Sequence, residues 1–190
     1  MRRALIAAGL GMTLLAATGC DGPRPPLTVA ARTGDLAAIK AILDGGADVN
    51  APDSEEGWPP LFHAVHMRQA AAILLLLERG ADPNLRRDRL VPLEVAAAQR
   101  DPAIVEILLA HGADLTARGP DGSTALSVAV SGGALTDGDL PFLGGCHPVT
   151  VRALLAHDPS QRLPDTFAGR RALWIARFHG CTDVVKMVKG

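Results

Sequence analysis

"PLEVAAAQRDPAIVEILLAHGADLT", residues 92–116, reads as two short helices joined by one tight turn and closed by another. Ala96 and Ala97 are small because the first helix must approach its neighbours closely. Val105, Leu108 and Leu109 recur at three- and four-residue spacing, the apolar stripe of the second helix. Pro102 suits a first helical turn, where no backbone donor is lost, and Gly112 suits a left-handed helix end. The pattern returns upstream as "PLTVAARTGDLAAIKAILDGGADVN" (26–50) and "PLFHAVHMRQAAAILLLLERGADPN" (60–84). Downstream it is shorter, "ALSVAVSGG" (125–133) and "ALWIARFHGCTDVVKMV" (172–188). Leu27, Leu61, Leu93 and Leu126 lead four units at intervals of 34, 32 and 33 residues, and Leu173 leads a fifth. One such helix pair cannot bury its apolar side alone. The period therefore predicts an all-α solenoid of about five helix-turn-helix repeats, each covering the next.

The shared residues strongly resemble the ankyrin repeat, whose signature runs from Thr-Pro-Leu-His through paired small residues and a glycine to a second helix ending in Leu-Leu before Gly-Ala-Asp. Here the ending appears as "GADVN", "GADPN" and "GADLT", preceded by "AIL", "LLL" and "ILL". The resemblance spans roughly residues 25–190, with repeats at about 25–52, 53–85, 86–118, 119–163 and 164–190 joined by β-hairpin-like loops. The signature histidine is replaced by Thr28, Phe62, Glu94, Ser127 and Trp174. The glycine between helices survives as Gly34 but becomes Arg68 and Arg100 in the next two units. From Leu126 to Leu173 is 47 residues, and the excess maps to a loop insertion at 131–147, before a second helix starting near Pro148.

The N-terminus is of another kind. Arg2 and Arg3 precede an apolar run, Ala4 to Ala17, that closes on Thr18, Gly19 and Cys20. This is the layout of a signal peptide, and the run is too short for a membrane-spanning helix, which needs roughly 20 residues. "AATGC" also resembles the lipobox of bacterial lipoproteins, implying a signal peptide over 1–19, lipidation of Cys20 and a tether over 20–26. The expected location is then the bacterial cell envelope, as a periplasm-facing lipoprotein. Cleavage after Ala17-Thr18-Gly19 without acylation is the alternative and leaves a soluble periplasmic protein.

Composition narrows the chemistry. A net charge of −1 and 3% aromatic residues, with no Tyr, supply neither the basic face nor the stacking platforms of nucleic-acid binding. The chain holds no nucleophile elbow, phosphate loop or zinc-protease helix motif. His63 and His66 share a helical face without a third ligand at sensible spacing, so His63 is expected to be half-buried and His66 to lie at the surface. The expectation is no enzyme, no cofactor and no metal. A metal-dependent hydrolase using that histidine pair is the reading of a different class.

Function then lies in surface shape. The ankyrin resemblance implies a concave surface of loops and first helices that binds a partner protein. Its variable positions map to Trp58, His66, Met67, Leu90, Gln99, Ser131, Arg170, Phe178 and His179. Trp58 and Phe178 are expected to be exposed contacts, since aromatic anchors dominate binding hot spots. The partner is expected to be another exported protein, bound by a monomeric adaptor or supporting protein; the alternative is an immunity protein that inhibits a periplasm-acting antibacterial toxin. With Cys20 lipidated, Cys146 and Cys181 form an even pair in an oxidising compartment, and Gly144-Gly145 gives the loop freedom to bring them together. A Cys146–Cys181 disulfide is expected, with two buried thiols as the alternative.

Overall fold

A computed structural model describes residues 26–52, 57–86, 90–119, 121–131 and 147–189. Ten helices lie among them. They are α1 (Leu27–Thr33), α2 (Leu36–Asp44), α3 (Pro60–His66), α4 (Ala70–Glu78), α5 (Pro92–Ala98), α6 (Pro102–Ala110), α7 (Ala125–Val130), α8 (Pro148–His157), α9 (Phe167–Phe178) and α10 (Thr182–Lys189). Odd-numbered helices stack on one another in chain order and so do even-numbered ones, which makes two layers of five, an all-α solenoid. Residues 132–146 of the insertion, the leader, and the tether up to residue 25 lie outside the described residues.

The first helices stack closely because small residues line their contacts. Ala30, Ala31, Ala64, Ala96, Ala97, Ala129 and Ala176 are all buried. In the second layer Ile39, Ile73, Leu76, Ile104, Val105, Leu108 and Leu154 form the buried stripe. Helix ends follow local chemistry. Asp35 and Asp101 cap α2 and α6 by accepting from the Ala38 and Ile104 amides at 3.0 and 3.3 Å. Thr124 and Ser127 form a reciprocal box at the start of α7. Pro60, Pro92, Pro102 and Pro148 each open a helix.

The loops after the second helices repeat one device. Asp48, Asp82, Asp114 and Asp158 each accept, through Oδ1, the amide two residues onward at 2.8–2.9 Å. Asn50 and Asn84 then reach across to the next unit, their Oδ1 atoms accepting from the Asp82 and Asp114 amides at 2.9 and 2.7 Å. Thr116 takes that place in the third unit and turns its hydroxyl back onto Asp114 at 2.7 Å.

The turn between helices needs a left-handed residue. Gly34 adopts φ +75°, and Arg68 and Arg100 hold φ +57° and +61° at the equivalent places. Arg68 gains a compensation: its Nε and Nη2 donate to Asp101 Oδ2 at 3.0 and 2.8 Å. Burial, the largest single influence, would raise the Asp101 carboxyl, but the Arg68 bonds and charge together with the Ile104 and Ala103 amides outweigh it and hold the group below the usual range. Gly34 has no such option, because a Cβ there would press on the Gln69 carboxamide. Gly34→Ala is expected to cost about 1–2 kcal/mol from left-handed strain, read as a lower midpoint in urea with an unchanged m-value.

Candidate protein-binding surface

The residues singled out in the sequence fall into three groups. At the ends of the first helices, His66 and Met67 are exposed, Met67 at 47%. Gln99, at the same place one unit later, is partly buried and donates through Nε2 to the His66 carbonyl at 2.7 Å. It braces two units as well as edging the surface. In the last unit Phe178 is 58% exposed, with the His179 ring against its edge at 5.5 Å. Arg170 is exposed and pairs with Asp165 at 3.0 Å. Leu90 is partly buried against the core.

Two residues depart from expectation. Trp58 is only 9% exposed and belongs to the core. Its ring meets Phe62 edge-on at 5.0 Å, lies tilted over His63 at 5.0 Å and touches the His66 edge at 5.2 Å. The cause is helix-entry geometry: Trp58 precedes the N-cap Pro59 of α3, and His63 is the fourth helical residue, so the pair closes as a hydrophobic staple. His63 is accordingly 6% exposed rather than half-buried. Ser131 is also buried, at 8%, with its hydroxyl donating to the Val128 carbonyl at 3.0 Å. It caps the end of α7 instead of facing solvent.

The cysteines divide differently. Cys20 and Cys146 lie outside the described residues, while Cys181 is partly buried between α9 and α10. Among the described residues no group of three or more His, Cys, Asp or Glu could hold a metal, and no helix is long and apolar enough to cross a membrane.

Two further residues were not picked out as site candidates. Trp174 stands at the signature-histidine position, is 56% exposed and stacks on Phe178 at 5.5 Å. Among the described residues no further helix pair lies beyond α9 and α10 to cover it. Glu94, at the same position in the third unit, is fully buried. Its Oε1 accepts from Ser123 Oγ at 3.0 Å and its Oε2 from the Val91 amide at 3.4 Å, joining the third unit to the fourth. Gly119 leaves room for this carboxyl, since a Cβ there would crowd both Ser123 Oγ and Glu94. Burial pushes Glu94 up to about 7; the Ser123 and Val91 bonds oppose the rise, and Asp121 adds to it.

Known families agree with this geometry. Two ankyrin-repeat models match, one of three copies over residues 4–87 and one of many copies over residues 76–129. Together they reach over about two thirds of the chain, which belongs to the ankyrin-repeat family and is in that general sense a protein-interaction module. The first match extends into the segment read above as a signal peptide, and the second stops before α8, so α8, α9 and α10 are recognised by their structure. The chain is 34% identical over 143 residues to zygote-specific protein 3 of Chlamydomonas reinhardtii, covering 72% of this chain and 38% of that protein. It is 31% identical over 109 residues to the 2-5A-dependent ribonuclease of Homo sapiens, covering 57% of this chain and 10% of that one. The chain therefore spans well under half the length of either curated relative.

Trp58→Ala is expected to cost about 3 kcal/mol or more and to lower the thermal midpoint by roughly 6–12 °C, measured by calorimetry. An unchanged midpoint would return Trp58 to the surface.

Glu94 makes stability depend on pH. Its folded pKa of about 7 lies above the ordinary value of 4.5, so between these limits the native state holds a proton that the unfolded chain has released. Its contribution is complete below about pH 4.5 and is lost as pH rises through 7. The shift corresponds to at most about 3 kcal/mol. Glu94→Gln, which keeps an acceptor for Ser123 without a titrating group, is expected to flatten that part of the stability curve in urea titrations at several pH values.

Proposed function

We propose that this chain is a non-catalytic protein-binding module, held at the bacterial cell envelope by a lipid on Cys20, that acts as an adaptor or supporting protein for another exported protein. One observation carries the binding part: exposed side chains of differing chemistry recur at one place, the C-terminal end of the first helix. They are Arg32 and Thr33 in α1, His66 in α3 with Met67 capping its end, and Phe178 in α9. A stack that repeats its buried residues while varying these presents a recognition surface on a fixed frame. The Arg2-Arg3 start, the apolar run and the lipobox-like "AATGC" support export and anchoring. A disulfide between Cys181 and Cys146 belongs to the same proposal, since such bonds persist in an oxidising compartment.

A photo-crosslinking residue placed at Met67 is expected to trap a discrete exported protein in cells, whereas the same residue at Lys40, on the second-helix layer, traps none. Equal adducts at both positions would remove the first-helix surface from the proposal. A trapped toxin, with loss of its activity on binding, would assign the immunity role instead. Cys20→Ser is expected to move the protein from the membrane to the soluble envelope fraction; unchanged fractionation would remove the lipid anchor.

A further inference from the structure

The last unit among the described residues carries a second surface, which shares Phe178 with the first-helix ends invoked above and extends from it along α9. In the interior units, the residue at the signature-histidine position is covered: Thr28 is 6%, Phe62 2%, Glu94 0% and Ser127 2% exposed. In the last unit, Trp174 at that position is 56% exposed. Helix α9 is also longer than the other first helices, 12 residues against six or seven, and its added N-terminal turn carries Phe167, 65% exposed. Residues 167, 174 and 178 follow one another at seven- and four-residue spacing, so Phe167, Trp174 and Phe178 form one aromatic stripe along α9. Arg170 and Arg177 fall on the same side of the helix by spacing and edge the stripe, and both are exposed.

Beside the stripe lies a groove of about 280 Å³ lined by Arg177, Gly180, Cys181, Thr182, Val185 and Lys186. An apolar strip next to a side-chain-sized recess is what a packed helix requires of its neighbour. The interior units fill the corresponding face with the next first helix, so the α9 face is already shaped for one.

Charge selects among occupants. Residues 159–189 hold six cations, Arg162, Arg170, Arg171, Arg177, Lys186 and Lys189, against the two carboxylates Asp165 and Asp183, although the whole chain has a net charge of −1. Two such faces would repel each other, which disfavours symmetric self-association through this end. We propose that the α9–α10 end of the solenoid binds an acidic amphipathic helix of a partner protein, which lays its apolar side on Trp174 and Phe167 and its carboxylates beside Arg170 and Arg177.

The test is selection of displayed amphipathic helices, randomised at their surface positions, on the full chain, followed by fluorescence anisotropy with the enriched peptides. The expected winners combine Asp and Glu with Leu or Phe at helical spacing. Their affinity should fall at least tenfold with Trp174→Ala and with Arg177→Glu, recover with Trp174→Phe, weaken with added salt and ignore Met67→Ala. Circular dichroism should show Trp174→Ala folded, as befits an exposed side chain. The proposal is overturned if no family is enriched, if basic helices win, or if binding ignores Trp174→Ala. Binding of phosphatidylglycerol vesicles in place of helices, or Trp174-dependent dimerisation in the ultracentrifuge, would equally overturn it. Sensitivity to Met67→Ala alone would return binding to the first-helix ends and leave the α9 end without a role.

Discussion

The close approach of successive first helices is the constraint on which the rest of this structure depends. Helices of six or seven residues, such as α1, α3, α5 and α7, are too short to persist in water by themselves. They persist because alanines on their contact faces, among them Ala31, Ala64 and Ala97, let backbone pack against backbone with nothing exposed. A larger side chain at any of these places would push two units apart and uncover the second-helix stripe as well, since both layers are carried by the same units. The tight turns follow from this. With the layers fixed, the chain has only two or three residues in which to reverse between the helices of the first three units, and it accepts left-handed backbone even at Arg68 and Arg100.

Polar groups refine the stack, and they do so unevenly. The first two junctions share a pattern: Asn50 and Asn84 reach the next unit's loop, and Gln69 and Gln99 reach the carbonyls of Arg32 and His66 in the unit before. The surface pair Arg79–Asp44 adds little beside these, being solvent-screened. At the third junction the device changes. Thr116 folds back on its own loop, and the buried Glu94–Ser123 bond takes over the crossing. At the fourth, Thr166 donates to the Gly122 carbonyl at 3.2 Å while its Oγ1 caps α9. The repeat is thus regular in its apolar contacts and individual in its polar ones.

That division explains what the sequence disclosed. Period, helix pairs, proline starts and glycine ends were legible because every unit repeats them and each has a local cause. Trp58 departs from expectation because a variable position and the weight of aromatic anchors at hot spots point to exposure, whereas its fate is set by two rings within eight residues, His63 and His66, and by Phe62 between them and the loop. The spacing from Trp58 across Pro59 to His63 was the staple signal that went unweighed. Glu94 was legible as a lost histidine but not as a buried acid, because its partner Ser123 is 29 residues away. Ser131 ends α7 with the same backbone as Met67 and Gln99 end α3 and α5, so its place in the repeat points to the surface, whereas the residue itself is buried and bonds back to the Val128 carbonyl.

The signature-histidine position gathers these points into one. The same backbone place holds Thr28, Phe62, Glu94, Ser127 and Trp174, and four of the five are buried whatever their polarity. Burial there is therefore imposed by the neighbouring unit and not by the residue's own hydrophobicity. The side chain only decides how the junction is satisfied: by apolar packing at Phe62, or by a hydrogen bond across the junction at Glu94. A stack whose junctions differ in this way has different local stabilities along its length, since each unit is held chiefly by its neighbours. The junction that buries a titratable acid carries a desolvation cost for it, and it is the first at which the asparagine brace is replaced, Ser160 folding back on Asp158 in the same way at the next. Units four and five are consequently joined to the first three through the most conditional contact of the described stack.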